Sequence, residues 1–347
     1  MHDINFDEAK QSQLPFVELL INLGYNYIPV GEALRQRGDD TSNFILKDIA
    51  ARALMKINRY EHADALHQFS DKDINDAIDE LENLQFEGLV DTSKTVYHTV
   101  MPTRGGRTIK MLLDGKYESK SFRFIDFDMP ENNEFHVTVE YPASGKGNIR
   151  PDIVCFVNGI PFVIIENKKS SVEVDEAMNQ QVRNQSVDRC PRLFIYTQLL
   201  IATNGKDMRY GTTGTPAKFY ATWREKDTPN SVLDGRVRAL MSQPIPASTY
   251  SDLLADLNGS VLGYTQKLER EVTAQDRSVV AMFDKARLLD IAKNYILYDA
   301  GTKKVMRYQQ YFAIHKILRR IKQTEQLEIG SAARAVLSGI LKVRANH

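Results

Sequence analysis

Apolar residues recur every three to four positions in the first third of this 347-residue chain. Through its middle they fall on every second position or in short unbroken runs. The first pattern is that of helices with one buried face, the second that of strands. "DEAKQSQLPFVELLINLGYNYI" sets Leu14, Val17, Leu20 and Ile21 on one face and stops at Gly24, which predicts a helix. "SNFILKDIAARALMKINRY" predicts a second, capped by Ser42 or Asn43, with Ile45, Leu46, Ile49, Ala53 and Leu54 facing inward. "SDKDINDAIDELENL" predicts a third, opened by Ser70 as N-cap with Asp73 in the capping-box position.

From about Thr95 the runs shorten and become rich in β-branched and aromatic residues. "TVYHTVM", "KSFRFIDFD", "EFHVTVEYP", "DIVCFVNG", "IPFVIIENKK", "RLFIYTQLLIATNG" and "KFYATWRE" are punctuated by Gly, Pro and Asn and predict strands. One helix over "SVEVDEAMNQQVRNQSVDR" would make a strand–helix–strand unit. After "SQPIPAS" the helical period returns in "YSDLLADLNGSVLGYTQKLER", "SVVAMFDKARLLDIAKNYILY" and "RYQQYFAIHKILRRIKQTEQ". The expected architecture is α/β (α+β): a mixed β-sheet flanked by helices over residues 1–250, then a mostly helical segment over 251–347.

Composition narrows the class. With 42% apolar and 26% charged residues the chain can bury a sizeable core. The formal net charge is zero, so any nucleic-acid contact must come from a local basic surface. Ten Lys or Arg lie between Gly301 and His347, against Glu325 and Glu328, and read either as a solvated face or as a track for a phosphate backbone. Cys155 sits within an apolar run and reads as a core residue, so no disulfide is expected. With no membrane-length apolar run and no secretory pattern at the start, the expected location is the cytoplasm.

The chemistry gathers in "RPDIVCFVNGIPFVIIENKKSS". A strand period of two places Glu166 and Lys168 on one face and Ile165 and Asn167 on the other. Asp152 opens the preceding strand, and the tight "NGIP" turn returns the chain so that Asp152 meets the Glu166–Lys168 face. Two adjoining carboxylates repel unless a cation lies between them, and hard oxygen donors suit Mg²⁺. The alternative is an exposed hairpin whose Glu and Lys merely solubilise a strand end. Asn167 needs a buried partner or a solvated edge. Glu8 or Glu18 is an upstream acid able to complete a metal site.

Three blocks, "FIDFDMPENNEFHV", the Asp152–Lys168 stretch and "LFIYTQLLIATNGKDMRYGT", resemble in order and spacing the N-terminal part of the endonuclease (R) subunit of type I restriction enzymes. The likeness runs over most of residues 5–330. It implies a Mg²⁺-dependent nuclease domain of the PD-(D/E)xK type followed by an ATP-driven DNA translocase. It also implies double-stranded DNA and the specificity and methyltransferase subunits as partners. Asp152 and Glu166 match the family's metal-binding acids and Lys168 its catalytic lysine. Lys169 then reads as a phosphate contact. Related nucleases carry Gln-x-x-x-Tyr on the following helix. Counted from Gln180 the Tyr position is Asn184, and from Gln181 it is Gln185, so Gln180 reads as site support or as plain helix surface. Gln310 in "RYQQYFAIHKI" matches the family's adenine-contacting Gln.

A translocase needs a Gly-rich loop ending in Gly-Lys-Ser/Thr, and these 347 residues contain none. Residues 338–347, "SGILKVRANH", admit synonymous codons that, followed by a stop codon TAA, read "WHTQGSGKSL" in a shifted frame. The expectation is therefore a nuclease domain joined to the start of a motor without its phosphate loop, the tail being either a frameshifted reading of that loop or a natural helical terminus. Two other readings stand beside it. One is a free-standing nuclease with a DNA-binding helical tail, the other a catalytically silent fragment that only occupies DNA or partner subunits.

Overall fold

The computed structural model describes residues 12–101, 107–257 and 269–324. It divides into a compact unit that runs to Val305 and a second from Met306.

A six-stranded mixed sheet organises the first unit. Its strands are β1 (Asn26–Tyr27), β2 (Phe135–Val139), β3 (Ile153–Val157), β4 (Ile160–Asn167), β5 (Leu199–Thr203) and β6 (Met208–Gly211), in that spatial order. The β1–β2 and β4–β5 pairs are parallel and the other three antiparallel. Every residue of β2, β3, β4 and β5 is buried. This is why their sequences run apolar instead of alternating: helices cover both faces. Each Ile, Val or Phe buried in β3 and β4 contributes about 1.5–3 kcal/mol relative to exposure. Helix α1 (Leu14–Asn22) covers one face, with Phe16 edge-on to Phe283. Helix α2 (Val174–Asn184) covers the other and forms the crossover from β4 to its parallel neighbour β5.

The β3–β4 turn sets the register of the site. Asn158 and Gly159 both have positive φ, 49° and 74°. A Cβ on Gly159 would lie 2.5 Å from the Leu46 carbonyl oxygen and 2.8 Å from the Ala50 nitrogen, so only glycine fits. Beyond one irregularity between Pro161 and Val163, the ladder pairs Ile165 with Ile153. Glu166 and Asp152 are therefore the next residues on the two strands.

Several expectations change. The first helix begins at Leu14 within the described residues, and its predicted residues 7–11 lie outside them. The second spans Lys47–Ile57 with Leu46 at its cap, while Ser42 instead donates to Asp40 in a local turn. "TVYHTVM" is helical, the end of Leu89–Val100. There Thr92, Ser93, Val96, Tyr97 and Val100 form a buried stripe at helical spacing that overrides β-branched preference. "KFYATWRE" forms a short 3₁₀ turn at Ala217–Phe219 and one bridge from Ala221 to Tyr210. The capping box of Ser70 and Asp73 is present, and Cys155 and Cys190 are free and buried.

The helices Ala274–Met282 and Lys285–Asn294 and the hairpin Ile296–Asp299/Thr302–Val305 lie within the first unit. Lys303 of that hairpin, expected as part of a basic surface, is fully buried. Its ammonium donates to Thr197 O at 2.8 Å, Gln198 Oε1 at 3.0 Å and Ser93 Oγ at 3.2 Å. Its role is structural: burial pushes its pKa well below the ordinary lysine range, and three core acceptors hold it in place. The described part of the second unit holds a helix over 308–324, whose Lys316, Arg319, Arg320 and Lys322 are exposed. Gln310, also exposed, accepts from the Arg307 N–H and closes the start of that helix. Residues 338–347 lie outside the described residues. No helix among those described is long and apolar enough to cross a membrane.

Candidate active site

The hairpin delivers Asp152 and Glu166 to one end of the sheet, where their carboxyl groups touch. Glu166 is fully buried, whereas Asp152 is half-buried at the edge. Burial pushes the Glu166 carboxyl well above its ordinary range, and the negative charge of Asp152 adds to this. Burial likewise pushes Asp152 up to about 6; the nearby Lys168 ammonium restrains it and the Glu140 carboxylate reinforces it. Lys168 acts on both acids, as the two-residue strand period predicts.

Each acid is held from a different side. Glu166 Oε2 accepts from Gln180 Nε2 at 2.7 Å, and Oε1 from Asn184 Nδ2 at 2.9 Å. These residues lie four apart on α2 and so share a face of the helix. Gln181, one step round, is buried and donates to the Ile164 and Ile201 carbonyls, fastening α2 across β4 and β5. Asp152 Oδ2 accepts from the Asn167 N–H at 2.5 Å. The Asn167 side chain points to the opposite face, where its Oδ1 accepts from Ser12 Oγ at 2.8 Å. That bond supplies the buried partner Asn167 requires, while its Nδ2 has no hydrogen-bond partner among the described residues.

The structure sorts the remaining candidates. Lys169 is half-buried, one residue past Lys168. Gln180 is at the site, in contact with Glu166. Gln310 belongs to the second unit, and Glu8 lies outside the described residues. Glu18 is buried on α1 and pushed up to about 7, first by burial; the charges acting on it are those of Arg270 and Asp276, not of the acidic pair. Glu140 is the third acid felt by both members of the pair. It sits just after β2 at φ 47° and is tied to Gln13 (3.1 Å) and Arg150 (2.9 Å). Among the described residues no three His, Cys, Asp or Glu side chains gather in a cluster that could hold a metal ion.

Residues 5–219 match the family model described as the N terminus of the type I restriction enzyme R protein. The chain belongs to this family. Type I restriction endonuclease subunits recur among its relatives. The HindI subunit of Haemophilus influenzae is 24% identical over 330 residues, covering 90% of this chain and 26% of that protein. The EcoprrI subunit of Escherichia coli is 29% identical over 195 residues, 55% of this chain and 51% of that protein. A Methanocaldococcus jannaschii protein assigned to the same class of subunit is 23% identical over 312 residues, 88% of this chain and 27% of that protein. The chain thus spans about a quarter to a half of the length of these relatives. Asn184, which stands at the Tyr position of the expected Gln-x-x-x-Tyr pattern, has a structural role: its amide reaches the same carboxylate as Gln180.

Proposed function

We propose that this chain carries the Mg²⁺-dependent DNA endonuclease centre of a type I restriction enzyme, with Asp152 and Glu166 holding the metal and Lys168 assisting. The observation that carries this reading is a pair of touching carboxyl groups, both raised in pKa, beside an ammonium at the end of a rigid hairpin. Such a pair is electrostatically unsatisfied, and its hard oxygens with a half-open edge at Asp152 fit a small divalent cation that keeps several waters. When bound, Mg²⁺ supplies a more acidic water and offsets charge building on a phosphodiester.

The chain's own groups do the rest. Gln180 and Asn184 fix both oxygens of Glu166, and the Asn167 N–H fixes one of Asp152. The Lys168 ammonium places fixed positive charge where a scissile phosphate gains negative charge. Lys169, the next residue along, is the proposed contact to the neighbouring phosphate. Double-stranded DNA is the proposed substrate, and specificity and methyltransferase subunits are the proposed partners. ATP belongs to a motor whose phosphate loop these 347 residues do not contain.

Supercoiled plasmid incubated with the purified chain tests the reading. Nicking that needs Mg²⁺ or Mn²⁺, ignores ATP and falls about 10²-fold with Lys168→Ala is expected. DNA binding with no cleavage under either metal would instead favour a silent, DNA-occupying fragment. Asn184→Ala frees one oxygen of Glu166 and is expected to weaken Mn²⁺ binding about 10-fold, read by titration calorimetry.

A further inference from the structure

We propose that Gln275 is a positioning residue for the metal pair, acting through Ser12 and Thr203 on the strand end Glu166–Asn167–Lys168. The proposal rests on the reading of Asp152 and Glu166 as metal ligands.

Gln275 is buried in the first turn of the helix Ala274–Met282. That turn is rigid. Thr273 and Asp276 form a capping box, and Arg270 grips the buried Asp276 carboxylate with contacts of 2.5 and 2.7 Å. The amide of Gln275 therefore has a fixed aim. Its Oε1 lies 2.6 Å from Thr203 Oγ1, 2.9 Å from the Gly205 nitrogen and 3.1 Å from Ser12 Oγ. Its Nε2 donates to the Ser12 carbonyl at 3.2 Å.

Both neighbours lead to the site. Ser12 Oγ holds Asn167 Oδ1 at 2.8 Å, and the Asn167 N–H holds Asp152 Oδ2. Thr203 is the ladder partner of Asn167, and its carbonyl accepts the Lys168 N–H at 2.8 Å. One side chain thus braces the backbone and side chain of the residue between Glu166 and Lys168. Outer partners of this kind orient metal ligands, and removing them typically costs 10–100-fold in affinity.

Four variants of the chain separate this from a plain packing role, with Mn²⁺ as the calorimetric probe. Amide hydrogen exchange of the metal-free protein gives a second readout. Gln275→Met keeps the shape and removes the hydrogen bonds. It is expected to bind Mn²⁺ about 10-fold more weakly and to speed exchange at the Asn167 and Lys168 amides. Gln275→Glu keeps the acceptor for Thr203 and Gly205, loses the donor to the Ser12 carbonyl, and is expected to recover part of that loss. Ser12→Ala, which breaks the relay at its middle, is expected to shift both readouts the same way should Gln275→Met fold poorly. Wild-type affinity and exchange in folded Gln275→Met and Ser12→Ala would overturn the proposal. So would a loss in Gln275→Met that Gln275→Glu does not recover. Wild-type Mn²⁺ affinity in Asp152→Asn would instead sink the metal assignment, leaving the exchange data to judge the relay alone.

Discussion

Glu166→Gln is expected to lower metal-dependent DNA cleavage by about 10³-fold, since a bound metal supplies several kcal/mol of charge stabilisation and each 1.4 kcal/mol is tenfold. The substitution keeps the side-chain shape but replaces one oxygen with an NH₂ group. Both oxygens of Glu166 accept from amide donors, Gln180 Nε2 and Asn184 Nδ2, so the new NH₂ must face a donor. The variant therefore loses a metal ligand and disturbs the clamp that aims it, while β4 stays packed between its helices. Lys168→Ala leaves the metal ligands in place and removes one fixed positive charge, for a smaller loss of about 10²-fold. Plasmid cleavage at saturating Mn²⁺, with circular dichroism as the control for folding, checks both values and their order.

Without metal, the acidic pair is expected to destabilise the fold as pH rises. The sign follows from proton binding. Asp152 is raised from 3.8 to about 6 and Glu166 well above 4.5, so the native state holds more protons than the unfolded chain above about pH 4. Stability contributed by this pair is present at low pH and falls as pH climbs through 6 and beyond. Asp152→Asn is therefore expected to raise the melting temperature at pH 8 in chelator. After discounting for its half-exposed position the gain is about 1–2 kcal/mol, a few degrees for a chain of this size. The gain should shrink at pH 4, and reverse at saturating Mn²⁺, where only the wild type gains from binding.

Glu18 provides the control. Burial pushes it up to about 7, so Glu18→Gln should also stabilise at pH 8, but with no dependence on metal. His136 titrates with the opposite sign. Held down at about 4 by burial, it gains stability with rising pH up to its ordinary 6.5, and it cancels when variant and wild type are compared at one pH. Calorimetric scans at pH 4 and 8, with chelator and with Mn²⁺, resolve these contributions.

The parts of the site that lie close along the chain were legible in the sequence. Asp152, the Asn158–Gly159 turn and Glu166–Lys168 sit within one hairpin, where a period of two and a tight turn settle which side chains meet. Gln180 was legible only as an alternative, because a polar helix residue has no propensity signal to separate a ligand clamp from a solvated face. Asn184 was read as a departure from a motif. Its four-residue spacing from Gln180 was the available clue that both share a face of α2. Glu140, Ser12 and Gln275 reach the site from other segments, and no local pattern announces such meetings.

The fold shows the same division. The buried strands β2 to β5 announced themselves as apolar runs, whereas Thr95–Met101 did not announce a helix. Its β-branched residues favour strands, and the packing of Val96, Tyr97 and Val100 decided otherwise. Lys303 looked like surface charge because nothing in its neighbours along the chain reveals the three acceptors waiting in the core.

Anomalous scattering from crystals of the chain soaked in Mn²⁺ tests the metal site itself. One strong peak in contact with the carboxylates of both Asp152 and Glu166 is expected, absent from Glu166→Gln crystals soaked in the same way. A chain that binds Mn²⁺ only elsewhere, or shows no peak at this pair, would contradict the metal assignment.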